Sequence, residues 1–235
     1  YSREEADKRY HIDPENPGVC LIINQKFFYK EPDERFKKLL VKSDTPERRK
    51  GTEKDRENLE KTFKSYGFRV IVEDNLTHVD IIEKITETIN EIKNESSLFI
   101  CILSHGEEGV VYGVNSCKLP VRKIEHIMCK TNFKNLQGKP KILILQSCQG
   151  NKCLKLVNKV NLFTFWATIP GYAAIRNKNT GTWFIQSLCD KMMKLGNSKH
   201  FDDMCTEIVD DVSSKTYKFA MVPQKVSTLT KCLYL

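Results

Sequence analysis

Among nine cysteines and five histidines, Cys148 and His105 stand apart because each sits where an apolar run turns polar and glycine-bearing. FICILSHGEEG reaches His105 and Gly106, and KILILQSCQG reaches Cys148 and Gly150. A thiol is mostly protonated at neutral pH and becomes an effective nucleophile when an imidazole takes or shares its proton. If the two runs are strands of one parallel sheet, their ends face the same crevice, which is where such folds place chemistry. Glycine beside each residue lets a substrate backbone come close and frees N–H groups to hold an oxyanion. Taken singly, His105 reads more often as a structural histidine and Cys148 as an inert core thiol; together at two strand ends the balance shifts to even between those readings and a catalytic pair. Metal binding by the pair is the poorer option, because two ligands are too few and no third lies near in sequence.

The elements that must position these residues are legible as period and punctuation. Segment 18–24 (GVCLIIN) is a short apolar run bounded by Pro17-Gly18 and polar residues, the pattern of a fully buried strand, and 68–72, 98–103 and 141–145 share that character. Segment 53–66 sets Leu59, Thr62, Phe63 and Tyr66 on one face and stops at Gly67, which suits a helix C-cap. Segment 77–93 opens on Thr77 as a cap and repeats Val79, Ile82, Ile85, Ile89 and Ile92 at helical spacing. After Gly150, 151–160 is basic and unpatterned and reads as a linker. Segment 162–168 then reads as a strand, 183–195 and 201–212 as amphipathic helices, and 225–235 as a last strand. This order predicts an α/β fold, doubly wound around a mainly parallel six-stranded sheet with helices on both faces. One domain over 1–235 is expected, with 1–150 and 161–235 flanking the linker 151–160.

Composition narrows the class. With 235 residues, 40% apolar and 29% charged, the chain can build one sizeable core and is too hydrophobic for disorder. No apolar run approaches the roughly 18 residues of a membrane span, and the polar opening YSREEADKRY has no signal-peptide core. A soluble cytoplasmic protein without cofactor is expected. The first residue is Tyr1, as expected of a processed or recombinant piece of something longer. The cysteines are odd in number and scattered without C-x-x-C pairs, so a reducing compartment is expected rather than a disulfide framework or a zinc ribbon. The net charge of +8 is spread along the chain and interleaved with Asp and Glu, so no specific nucleic-acid partner is expected, only weak and salt-dependent binding. The positive field would steer acidic peptide segments.

The caspase nucleophile signature is Gln-Ala-Cys, then Arg, Gln or Gly, then Gly, with a histidine about 50 residues upstream. Here Gln146-Ser147-Cys148-Gln149-Gly150 follows His105 at a comparable distance, so the chain resembles the caspase family with one exchange, Ser for Ala. The likeness runs through GVCLIIN, ERRKGTEKDRENL, LSHGEEG, LQGKPKILILQSCQG, PGYAAIRNKNTGTWFIQSLC and STLTKCLYL. It implies a cysteine endopeptidase cutting after aspartate, in programmed cell death or innate immune signalling. In that resemblance Cys148 attacks the scissile carbonyl, His105 protonates the leaving amine, and backbone N–H groups of Gly106 and Cys148 stabilise the oxyanion. Arg49, Gln146 and Arg176 form the socket for the substrate aspartate. Ala174 and Ile175 align with the segment that runs antiparallel to the substrate backbone, where many members carry a serine and an aromatic residue, which implies a less aromatic neighbouring subsite. A homodimer through small-subunit edges, with adaptor or inhibitor proteins as further partners, is also implied. The socket makes physical sense by itself. Two guanidiniums grip one carboxylate with planar charge-assisted bonds and Gln146 adds a donor, so a substrate Asn would be disfavoured on the order of hundredfold. Arg48 and Lys50 read as a solvated basic loop.

Two departures from the family pattern matter. Caspase precursors are typically cut at aspartates between subunits, yet 151–160 contains no Asp or Glu. Activation then proceeds by dimerisation without such a cut, or a segment is absent. Segment 213–222 is also short for the loop of executioner-like members. The main rival reading is a catalytically weak caspase-like dimer partner or decoy, kept open by Ser147 and the odd linker and opposed by the joint presence of His105, Cys148, Arg49, Gln146 and Arg176. A related protease cutting after a basic residue would need an acidic pocket, and no paired carboxylates stand at the corresponding positions.

Overall fold

The computed structural model describes residues 8–42, 44–130, 133–148, 161–196, 198–215 and 221–235. In chain order the elements are β1 (Val19–Asn24), α1 (Thr52–Ser65), β2 (Arg69–Asp74), α2 (His78–Glu91), β3 (Leu98–Leu103), β4 (Gly106–Glu107), β5 (Val110–Tyr112), β6 (Lys118–Pro120), α3 (Val121–Met128), β7 (Lys141–Gln146), β8 (Leu162–Trp166), β9 (Arg176–Asn177), β10 (Gly181–Thr182), α4 (Trp183–Leu195), α5 (Phe201–Ser214) and β11 (Gln224–Ser227). The main sheet has six strands in the order β11-β8-β7-β3-β1-β2. All neighbours pair in parallel except β11, which runs antiparallel to β8. This is the doubly wound α/β architecture expected of the alternating pattern.

Because successive side chains on a strand point to opposite faces, each long apolar run feeds two cores. Cys20, Ile22, Phe99, Cys101, Ile144, Phe163 and Phe165 pack against Leu59 and Phe63 of α1, Leu188 and Met192 of α4, and Met204 and Ile208 of α5. On the other face, Leu21, Ile23, Ile100, Ile102 and Leu143 meet Ile81, Ile85 and Ile89 of α2 and Ile124 and Ile127 of α3. The punctuation holds too. Thr77 and Asp80 form a reciprocal capping box at the start of α2, and Gly67 after α1 has φ +76, a conformation only glycine adopts without strain.

Two expected strands differ. Segment 68–72 does not form a fully buried strand, because β2 is a sheet edge with β1 as its one neighbour and its residues are half-buried or exposed. Charged residues there pair outward, Arg69 with Glu91 and Glu95 and Glu73 with Lys84, as suits an edge. The last strand is confined to β11. Beyond it the chain leaves the sheet to bond the N-terminal segment, Tyr10 N–H to the Cys232 carbonyl (3.0 Å) and Cys232 N–H to the Lys8 carbonyl (2.8 Å). The expected linker 151–160 and residues Gln149 and Gly150 lie outside the described residues, as do residues 216–220 of segment 213–222.

For the site, the decisive feature is the register of the two central strands. Leu103 pairs with Gln146, and Ser104 N–H donates to the Gln146 carbonyl at 3.1 Å, so the residues after β3 and those after β7 emerge side by side.

Candidate active site

A cleft of about 250 Å³ opens at these strand ends, lined by Arg49, Ser104, His105, Gln146, Ser147, Cys148, Ala174 and Arg176. Cys148 and His105 therefore border one cavity. The imidazole is held from several sides. His105 Nε2 donates to the Glu47 carbonyl at 2.8 Å, its ring packs on Phe28 with centroids 5.0 Å apart, and its own carbonyl accepts from Tyr112 N–H at 3.0 Å. Since a carbonyl can only accept, Nε2 carries the proton of the neutral ring and Nδ1 keeps the lone pair that can take a thiol proton.

Gly106 opens β4 under tight constraint. A Cβ there would stand 2.3 Å from the Val110 carbonyl oxygen and 3.2 Å from Ser147 Cβ. The closeness that demands glycine also sets the Gly106 backbone against the residue preceding Cys148, the neighbourhood an oxyanion hole made from their two N–H groups requires.

The cationic wall is assembled from distant parts of the chain. Arg49 is 1% exposed. Its Nη1 donates to the Gln25 carbonyl (2.9 Å) and to Thr52 Oγ1 (2.7 Å), and its Nε has no hydrogen-bond partner among the described residues. Gln146 is equally buried, with Oε1 unpartnered. Arg176, half-buried at the start of β9, donates from Nε to the Lys50 carbonyl at 2.9 Å. Gly51, at φ +84, packs so closely on the β9-β10 hairpin that a Cβ would lie 2.5 Å from the Lys178 carbonyl oxygen.

Of the residues singled out from sequence, Gly106 and Ile175 are not in the cleft lining, and Ile175 is turned to other partners. The Ile175 N–H donates to Met221 Sδ at 3.1 Å, and its side chain, like that of Ala174, packs against the hydrophobic core on the α1, α4 and α5 face of the sheet. Residues 172–175 form no strand in this structure, and β9 begins at Arg176.

The model of the family described as "Caspase domain" matches residues 17–234. Caspase-8 of Drosophila pseudoobscura pseudoobscura is 34% identical over 248 residues, covering 99% of this chain and 48% of that protein. Caspase-8 of Drosophila melanogaster is 36% identical over 241 residues, covering 94% and 47%, and Caspase-3 of Mus musculus is 31% identical over 254 residues, covering 97% and 87%. The chain belongs to the caspase family. It spans about half the length of the fly relatives and most of the mouse one.

In this caspase domain the electrostatics of the cleft follow from burial and from the two guanidiniums. Burial first, then Arg49 and Arg176, push the His105 imidazole down to about 4 against the opposing pull of the Glu47 carbonyl, so the ring is neutral at pH 7. Burial and neighbouring Arg176 bring Arg49 down to about 9, which leaves it cationic. Burial lowers Arg176 as well. Beneath them, burial raises the Asp55 carboxyl to about 6. Sequence reasoning passed over the Glu47 carbonyl, Phe28, Ser104 and Asp55. A backbone carbonyl has no residue signature, and Asp55 in the first turn of a helix reads as an ordinary dipole-complementing acid; only its position on the apolar side of α1, one turn before Leu59, marks it. Among the described residues there is no cluster of three His, Cys, Asp or Glu side chains that could hold a metal, and no helix long and apolar enough to cross a membrane.

Proposed function

We propose that this caspase domain is a cysteine endopeptidase that cuts polypeptides after aspartate. The observation that carries the reading is one cleft bordered at once by Cys148, His105, Arg49, Gln146 and Arg176. The substrate carboxylate enters between the guanidiniums and accepts from Arg49 Nε–H, a buried donor without a partner among the described residues. That fixes the next carbonyl over Cys148. Neutral His105 accepts the thiol proton at Nδ1 as sulfur attacks, and the N–H groups of Gly106 and Cys148 receive the developing oxyanion. The imidazolium then gives its proton to the leaving amine, and water hydrolyses the thioester. The Glu47 carbonyl keeps the ring oriented throughout, since it binds the Nε2–H of both the neutral and the charged form.

A second copy of the chain is the natural partner of β11, which ends the sheet with Val226 exposed. An edge strand with free N–H and C=O groups pairs readily with its symmetry mate. Activity in the cytoplasm, in cell death or innate immune signalling, belongs to the same proposal.

The test is covalent capture combined with selectivity. An aspartyl fluoromethyl ketone should add stoichiometrically to Cys148, located by peptide mass spectrometry, and peptides with Asp at the cleavage position should outrun their Asn counterparts on the order of hundredfold. Absence of an adduct would favour the weakly catalytic dimer partner, and equal rates for Asp and Asn would remove the assigned specificity.

A further inference from the structure

Behind the socket lies a carboxylate that the proposed reaction does not consume. Asp55, in the first turn of α1, is fully buried. Its Oδ1 accepts from Thr182 N–H at 2.8 Å and from Gln186 Nε2 at 3.2 Å, while its Oδ2 is buried without a partner among the described residues. Thr182 is the N-cap of α4 and stands opposite Arg176 in the β9-β10 hairpin. The approach is tight: at Gly181, φ +92, a Cβ would lie 2.3 Å from Asp55 Oδ1. A neighbouring bond, Asn58 Nδ2 to Gln186 Oε1 at 2.8 Å, runs alongside.

Arg49 leads directly into α1, and Arg176 sits on the hairpin that Asp55 grips, so one carboxylate joins the two halves of the socket. It also carries the charge opposite to theirs, and both guanidiniums feel it. We propose that Asp55 is the positioning residue of the aspartate socket, holding Arg176 in register with Arg49, and that its charge sets how tightly the socket binds a carboxylate and couples that binding to proton uptake. The inference rests on the aspartate-specific reading of the cleft.

The coupling follows from elementary electrostatics. A substrate carboxylate brought between the guanidiniums adds negative charge close to Asp55, which raises the proton affinity of a group already held near 6 by burial. Binding therefore takes up protons just above that pH, and affinity increases as pH falls toward it. The groups facing Asp55 do not blur the window. Arg49, from the loop before α1, stays charged below about 9. Arg176 on β9 is likewise cationic, and the Cys189 thiol on α4 is pushed up to about 12. Glu53, on the same helix and sensed by Arg176, is lowered, its own backbone N–H being the largest cause. Arg56 of α1 and Asp74 of β2 pair with each other at 2.7 Å. His105, near 4, is neutral across the window.

The experiment uses the full chain carrying Cys148→Ala and a peptide with Asp at the cleavage position. Calorimetry in buffers of different ionisation enthalpy counts protons taken up between about pH 6 and 7.5. The expected result is uptake of a fraction of one proton, with affinity several-fold higher at the acid end. Adding Asp55→Asn keeps the Oδ1 acceptor but removes the charge, so uptake vanishes and affinity becomes level with pH. In the active enzyme, Asp55→Ala also loses both hydrogen bonds, and KM should rise about tenfold while kcat changes less than about threefold, the split expected when ground-state positioning is lost. Undiminished uptake in the Asn variant overturns the proposal, as does an unchanged KM in the Ala variant. Should the Ala variant fail to fold, the Asn comparison decides alone. If the parent binds and cleaves aspartyl peptides normally, those failures count against Asp55 only; if it does neither, the aspartate-specific reading falls and takes this inference with it.

Discussion

The two ends of β3 and β7 bury the same kinds of polar group and treat them in opposite ways. Where the strands begin, Ser97 is 1% exposed and its Oγ donates to the Pro17 carbonyl at 2.7 Å. Lys141 is buried beside it in the sheet, with Nζ donating to the carbonyls of Leu136 (3.2 Å) and Lys139 (2.7 Å). Where the strands finish, Ser147 Oγ, Gln146 Oε1 and Arg49 Nε are buried with no partner among the described residues. An unmade hydrogen bond on a buried group costs about 1–3 kcal/mol. The fold tolerates that cost at one end of the sheet and avoids it at the other. At the tolerant end Arg49 Nε–H is a donor that a substrate carboxylate can satisfy, whereas the groups at the opposite end close the structure.

The widest expected gap between the two ends is in rate. His105→Ala should lower kcat/KM on aspartyl peptides on the order of a thousandfold, because the thiol loses the group that takes its proton. Lys141→Met at the other end should leave kcat/KM unchanged, since its ammonium bonds carbonyls far from the cleft. Comparable losses in steady-state kinetics for both variants would abolish the distinction between the ends.

The two socket arginines divide next. Arg49 is fully enclosed and bonded to Gln25 and Thr52, so Arg49→Ala should lose aspartate selection and about 2–4 kcal/mol of stability through the void and the unpaired acceptors. Arg176 is half-buried, and Arg176→Ala should lose selection at less than about 1 kcal/mol. Urea denaturation of both variants beside Asp/Asn rate ratios checks this. Equal destabilisation would mean that Arg176 is as structural as its partner.

Two titrating groups at the site also pull stability in opposite directions over one pH range. His105 is depressed from 6.5 to about 4, so its contribution is present above 6.5 and is lost as pH falls toward 4. Asp55 is raised from 3.8 to about 6, so its contribution is present below 3.8 and is lost as pH rises through 6. Each is on the order of 1–3 kcal/mol, with the half-buried imidazole at the low end because solvent screens it. Relative to wild type, Asp55→Asn should make stability rise more steeply between about pH 4 and 6, and His105→Gln should make it fall. Denaturation midpoints measured across that range test the pair, and a shift of the same sign in both variants would contradict the opposed pulls.

How much of this was legible depends on whether a residue's role is local. The runs at 18–24, 98–103 and 141–145 read as buried strands because burial on both faces leaves no polar position to confuse the pattern, and Gly67 and Thr77 read as caps because their work is done within one turn. Segment 68–72 looked alike yet became an edge, since its neighbours are decided by sheet order and not by its own residues. The helix α3 escaped notice although Val121, Ile124, Ile127 and Met128 are buried on it, because eight residues offer barely two turns of period. At the site, His105, Gly106 and Cys148 were visible at strand ends, whereas Arg49, Gln146 and Arg176 were singled out by the caspase resemblance. Asp55 and the Glu47 carbonyl stayed hidden, because each acts through a contact with a part of the chain remote in sequence.

The finest test sets two serines against each other. Ser97 and Ser147 are both 1% exposed and each flanks a central strand, Ser97 just before β3 and Ser147 just after β7, so Ser→Ala removes the same oxygen from a dry interior in both places. At Ser97 the change breaks a bond and leaves the Pro17 carbonyl without that donor, and a loss of about 1 kcal/mol is expected. At Ser147 no bond is broken, an unpartnered hydroxyl disappears, and the Gln-Ala-Cys order of the family signature is restored, so stability should rise by about 0.5–1 kcal/mol. Ser147 Oγ makes no hydrogen bond among the described residues, so its removal takes no partner away from the cleft, and kcat should stay within about twofold. Opposite signs in paired denaturation curves are therefore the outcome that keeps the two ends distinct. A loss at Ser147 matching that at Ser97 would mean its hydroxyl is bonded after all, and that the active end of the sheet is as fully satisfied as the other.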